Sequence, residues 1–172
     1  IGHAMDTVVL ANLNNSFSDM LFKSTTHPSM LTYLDNIWSS GENSAEAKDA
    51  RENNFQAGLN DNLGRELLEL HSVSPSAKYT EKDIRNAANV LAGWGIELKR
   101  TDEWMRSQGA DTSNYANLFK KRWAEPGVKN VMGKVINQGK GGLRELTDFL
   151  ASHDHTCLLY TSPSPRDGLL SR

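Results

Sequence analysis

The stretch Asn60-Asp61-Asn62-Leu63-Gly64-Arg65-Glu66-Leu67-Leu68-Glu69-Leu70-His71, continued by Tyr79-Thr80-Glu81-Lys82-Asp83-Ile84 and Leu91-Ala92-Gly93-Trp94, decides the fold. Leu63, Leu67 and Leu70 recur at i, i+4 and i+7, one apolar stripe of helical period, and Arg65, Glu66, Leu68 and Glu69 between them favour helix. Asn60 is placed to cap the first turn, so a helix over 61–71 is predicted. Ser74-Pro75 discourages its continuation. Thr80 stands three residues before Asp83, a near relative of the capping box, and Ile84, Ala87, Ala88 and Leu91 then share one face. A second helix over 81–92 follows, with Gly93 placed to stop it. Helix, short loop, helix, with leucine and alanine sides together, is the expected centre.

Outward from that centre, Val9, Leu10, Leu13, Phe17, Met20 and Leu21 predict one helix over 6–23, bent at Asn14-Asn15-Ser16. His27-Pro28 ends it, and Pro28 opens a short helix over 29–34 with Met30, Leu31 and Leu34 inward. Residues 35–58 are polar and read as a long loop. Beyond Trp94 the pattern weakens. Trp104 and Met105 suggest a helical turn over 102–108 ended by Gly109. The pieces 116–123 and 130–136, with Glu125-Pro126-Gly127 between them, read as a small β-hairpin. Leu143, Leu146, Phe149 and Leu150 predict a last helix over 142–152. The fold class is therefore mostly α, with one small hairpin near 116–136.

The 172 residues, 38% of them hydrophobic, suffice for one modest core. A net charge of −2 carries no basic excess that would argue for nucleic acid. No apolar run is long enough to span a bilayer. The first residue is Ile1 and no charged-then-apolar leader precedes the first helix, so the chain itself displays no secretion signal.

The last sixteen residues read differently. Cys157-Leu158-Leu159-Tyr160-Thr161-Ser162-Pro163-Ser164-Pro165-Arg166-Asp167 matches the translation of a transposase-type sequencing adapter, and Gly168 to Arg172 would continue it. Residues 1–156 are then the evolved part, and 157–172 are expected to be adapter-derived and without regular structure. Without Arg166, Arg172 and Asp167 the counts fall from 19 basic and 21 acidic to 17 and 20, a net of −3. The only cysteine goes with the tail, which leaves no disulfide, thiol nucleophile or cysteine metal ligand.

The quoted motifs resemble the signature of a bacterial family known as domain of unknown function 1800, which reads Asn-Glu-Asn, a gap of two, Arg-Glu-Leu-Leu-Glu-Leu-His, then Tyr-Thr and a later Thr-Gly-Trp. Here those positions are Asn60, Asn62, Arg65, Glu66, Glu69, His71, Tyr79, Thr80, Asp83, Gly93 and Trp94. His27-Pro28, Met30-Leu31, Tyr33-Leu34-Asp35-Asn36 and the Pro126-Gly127, Lys129, Gly133-Lys134 run also agree. The resemblance covers most of 12–156. Family members are longer, so it implies a middle piece of a helical domain, whose partners would include the rest of that domain. It also implies a periplasmic or envelope setting. Ala124 stands where the family commonly has histidine, so chemistry through that histidine is absent from this chain.

Several residues could carry chemistry. At about 100° per residue, Asn62, Glu66 and Glu69 fall along one stripe and His71 well round the other side, which disfavours a single-helix His-Glu-Glu metal site. Arg65 and Glu69 have the spacing of an i, i+4 pair. Glu66 and Glu69 could act as acid, base or hard-cation ligands if other segments completed a site, and His71 as proton carrier or ligand. The plainer reading is preferred: structural carboxylates and a hydrogen-bonded histidine at a helix end. Asp35 and Asn36 read as local side-chain to backbone bonds, and Trp94 as a core anchor. His153-Asp154-His155 is a weak metal signal beside the adapter junction. Gly139, Gly141 and Gly142 lack P-loop spacing, and neither a Gly-x-Ser-x-Gly elbow nor a His-Glu-x-x-His helix is present. No cofactor-binding residue is read from the sequence, and the identity of any cofactor or metal stays open. The expected function is a non-enzymatic envelope scaffold or interaction module; the alternative is a hydrolase-type enzyme using Glu66 and Glu69 of the Asn60–His71 helix, with or without a metal, and with His71 from a neighbouring face.

Overall fold

The structure, a computed structural model, describes residues 8–96 and 118–161. In place of one bent helix near the start there is a 3-10 turn, Leu10–Asn12, and then α1, Phe17–Thr26. The break lies at the Asn-Asn-Ser patch because Asn15 Nδ2 bonds Asn12 Oδ1 and Ser16 restarts the helix, its Oγ accepting the Asp19 N–H at 3.1 Å. Helix α2, Pro28–Tyr33, begins with proline at its first position, and the His27 ring nitrogen accepts the Ser29 N–H.

The segment read as loop is not one. It holds a 3-10 turn, Asn36–Trp38, and a helix, α3, Ala45–Glu52, capped by Ser44 through the Ala47 N–H. Only Ala47 and Ala50 of α3 are buried, so no large apolar residue marks its inward side. Its far end is a Schellman motif. Asn54 is left-handed (φ 55), the Phe55 N–H bonds the Ala50 carbonyl, and the Asn54 N–H bonds that of Arg51.

The predicted pair forms as α4, Asn62–Glu69, and α5, Glu81–Leu91, packed side by side. The buried side of α4 is Leu63, Gly64, Leu67 and Leu68. Leu70, placed on the stripe by its spacing, is 65% exposed, because the helix has ended before it and Leu68 takes the inward position. A Cβ on Gly64 would lie 2.7 Å from the Ala88 backbone nitrogen, so the glycine sets the distance between the two helices. Thr80 and Asp83 form a complete capping box at the start of α5, and Gly93 (φ 93) turns the chain out of it.

Strand β1, Trp94–Gly95, pairs antiparallel with β2, Leu118–Phe119, in the register Trp94 to Phe119. The hairpin is β3, Lys129–Val131, with β4, Lys134–Ile136, rather than a pairing of 116–123 with 130–136. Met132 and Gly133 at its tip both have positive φ (51 and 84), as a two-residue turn matched to strand twist requires. The chain then enters α6, Gly142–Ala151, which lies along α1, and α7, Asp154–Thr161. Helix α7 carries regular structure five residues into the stretch expected to have none. The suggested turn over 102–108 lies outside the described residues.

One core joins these elements: Leu21, Leu31, Leu63, Leu67, Ile84, Leu91, Leu143, Leu146 and Leu150 around Trp94, which Phe22 and Phe119 meet edge-on at 5.9 and 5.6 Å. No helix among the described residues is long and apolar enough to cross a membrane.

Candidate functional site

The motif residues divide between the two ends of α5. At its start, Arg65 bonds both carboxylate oxygens of Glu81, at 3.0 and 2.8 Å, and Asp61 at 3.2 Å. It does not take the i, i+4 partner Glu69. Helical side chains lean toward the N-terminus, and that is where Asp61 and the first turn of α5 lie. The Glu81 hydrogen bond holds the guanidinium above its ordinary pKa, and the same bond holds the Glu81 carboxyl below its own. Asn60 does cap α4, one step early: its Oδ1 accepts the Asn62 N–H at 3.0 Å.

Asp83 uses both oxygens. One accepts the N–H and hydroxyl of Thr80 at 2.8 and 2.7 Å; the other accepts the Met132 N–H at 2.7 Å. The carboxylate thus starts α5 and anchors the hairpin turn at a residue held in the left-handed region. Burial works to raise its pKa, but the bonds from Thr80 and Met132 outweigh it and hold the group below the usual carboxylate value. Nearby, Lys129 is buried, its ammonium bound to the carbonyls of Glu125 and Gly127, and burial lowers its pKa against the opposing charge of Glu125.

Glu66, Glu69, Tyr79 and His71 are all half-buried. Burial first, then the charge of Glu69, raises the Tyr79 phenol. Burial lowers the His71 pKa, with Glu66 opposing it. His71 comes beside Glu66 because the helix stops at Glu69 and the His71 N–H folds back onto the Glu66 carbonyl at 2.9 Å, so the wheel no longer describes it. No group of three metal-ligating side chains occurs among the described residues, His153-Asp154-His155 included.

At the other end of α5, the buried Asn36 amide donates to the carbonyls of Leu91 (3.2 Å) and Trp94 (2.8 Å). Asp35 beside it is exposed, with φ 56. Eleven residues of helix, about 16 Å, separate this end from Glu81. Asp35 therefore does not join Glu66, Glu69 and His71.

A concave surface lies elsewhere, between the segment 35–58 that reads as loop and the Trp123 end of the piece 116–123 that reads as a hairpin strand. Residues 39–60 leave and rejoin the fold at one place: the Ser40 N–H bonds the Gly58 carbonyl at 2.9 Å and the Asn60 N–H bonds Ser39 Oγ at 3.1 Å. The turn carrying Trp123 is fastened to this excursion by the Gly41 N–H to the Trp123 carbonyl, the Glu46 N–H to the Arg122 carbonyl, and both carboxylate oxygens of Glu125 on Asn43. Between them is a groove of about 330 Å³ whose walls include Trp38, Glu46, Asp49, Asn53, Phe55 and Trp123. Trp38 is 68% and Phe55 74% exposed. Arg122 pairs closely with Asp49, and its Nε lies 4.0 Å from Glu46. The signal that could have found this site is a tryptophan and a phenylalanine in a segment with no apolar periodicity to bury them.

Compared with known families, residues 1–158 match the model described as protein of unknown function, DUF1800. The chain belongs to the DUF1800 family. No curated protein and no solved structure matches it. Membership accounts for the order of the motifs, and in this DUF1800 chain the motif residues Asn36, Asn60, Arg65, Thr80, Asp83 and Trp94 hold helix ends, a hairpin and the core together.

Proposed function

We propose that this chain is a non-enzymatic scaffold or interaction module, in the envelope setting that the family resemblance implies. The observation that carries the reading is the Arg65 guanidinium. Both of its terminal nitrogens are committed to Asp61 and Glu81, which ties α4 to α5, whereas a ligand-binding arginine would direct that fork outward. The two roles of Asp83 and the buried ties of Asn36 support it further.

The test is elemental analysis of the purified chain together with thermal unfolding of Arg65→Ala and Glu66→Gln. The expected result is no stoichiometric metal, a lower melting temperature for Arg65→Ala, and a melting temperature near that of the wild type for Glu66→Gln. Stoichiometric metal that is lost on Glu66→Gln would overturn the scaffold reading in favour of a hydrolase-type site through Glu66, Glu69 and His71.

A further inference from the structure

We propose that the groove beside α3 is a binding site for an organic cation with an alkylated ammonium head. It shares no residue with the motif face, so it stands or falls separately from the scaffold reading. Three aromatic side chains, Trp38, Phe55 and Trp123, line one cleft with two carboxylates, Glu46 and Asp49. Aromatic faces carry negative charge density and attract cations, tryptophan most strongly, and methyl groups on the ammonium add apolar contact that a hydrated inorganic ion lacks. At about 330 Å³ the cleft is of small-molecule size.

Among the described residues, the charged side chains that line the groove are both acidic. Both carboxylates line the groove and share a single guanidinium, Arg122, which holds Asp49 closely and reaches Glu46 only at 4.0 Å. Lys120 also lies here, its ammonium 4.5 Å from the centre of the Trp123 ring, so that ring already meets a positive group. Neither Lys120 nor Arg122 forms part of the lining.

The backbone of the walls is held by the fold. The Schellman end of α3 ties the Phe55 N–H to the Ala50 carbonyl, and the bonds from Gly41 and Asn43 fasten the Trp123 turn to the same excursion.

The test is calorimetric titration of the full chain at constant ionic strength with tetramethylammonium and with choline. The comparison ligands are 3,3-dimethylbutan-1-ol, the uncharged isostere of choline, and methyl glucoside. We expect saturable binding of both cations, with dissociation constants on the order of millimolar, and none of the two neutral ligands in the same range. Trp38→Ala or Phe55→Ala should each weaken binding by about two- to fivefold, the fold-change equivalent of one exposed cation–π contact. Arg122→Gln should tighten it, because it returns the Asp49 charge to the groove. Equal binding of the isostere, binding of the glucoside in place of the cations, or weaker cation binding in Arg122→Gln would overturn the proposal. Trp38 and Phe55 are largely exposed, so their variants should keep the wild-type circular dichroism and melting temperature.

Discussion

Two tryptophans show how differently two parts of this molecule use the same side chain. Trp94, at the end of the α4–α5 pair, is 1% exposed and meets two phenylalanines edge-on. Trp38, at the root of the 39–60 excursion, is 68% exposed and walls a groove. Along the α4–α5 pair the polar motif residues are turned inward on the protein: Asn36 on two carbonyls beside Trp94, and, at the far end of α5, Asp83 on a cap and a hairpin and Arg65 on two carboxylates. Around Trp38 aromatic surface remains available to something else. The strongest sequence motif here coincides with residues that tie elements of the fold together, and the exposed aromatic groove coincides with the stretch that is least patterned.

The largest expected effect breaks or keeps that contrast directly. Trp94→Ala removes a fully buried ring from the core and should cost about 3–5 kcal/mol of stability. Trp38→Ala should stay within about 0.5 kcal/mol. Urea unfolding of the two variants decides it; similar losses would mean that Trp38 belongs to the core after all. Gly64→Ala should come next. Alanine is the better helix former by about 1 kcal/mol, yet its Cβ would press on the Ala88 backbone at 2.7 Å. Overpacking of that kind costs about 1–3 kcal/mol, so we expect a net loss, whereas a gain would show that α4 and α5 can move apart freely.

The same contrast explains what could be read in advance. Helix α5 was legible nearly to the residue, because Thr80 and Asp83 announce its start and Ile84, Ala87, Ala88 and Leu91 its buried side. Helix α4 was legible as an element but not in its facing: Leu63, Leu67 and Leu70 fit the period, and only the early stop at Glu69 shows why Leu68 is buried and Leu70 is not. Helix α3 escaped notice because alanines alone face inward, and alanine leaves no large apolar signal. The hairpin was displaced for another reason. Glu125-Pro126-Gly127 reads as the turn, but the carbonyls of Glu125 and Gly127 hold the buried Lys129 ammonium, and the reversal takes place at Met132-Gly133. The groove as a whole has no signature in the sequence, since Trp123 comes from a distant part of the chain to line it with Trp38 and Phe55.

The smallest effect sharpens the contrast on the motif side and depends on pH. Burial depresses the His71 pKa below its ordinary 6.5. The unfolded chain therefore takes up a proton as pH falls through 6.5, while the folded chain refuses it until lower pH, so native stability should fall as pH drops through this range and level off once the folded value is passed. Asp83, also depressed, contributes stability above its unfolded value near 3.8 and loses it as pH falls through its folded value. Urea midpoints of wild type and His71→Gln, compared at pH 7.5 and near pH 5.5, isolate the histidine from the other groups that titrate there. The variant should lose less stability on acidification than the wild type. Parallel losses would mean that the histidine is hydrated in the folded state and that the α4 end does not close around it.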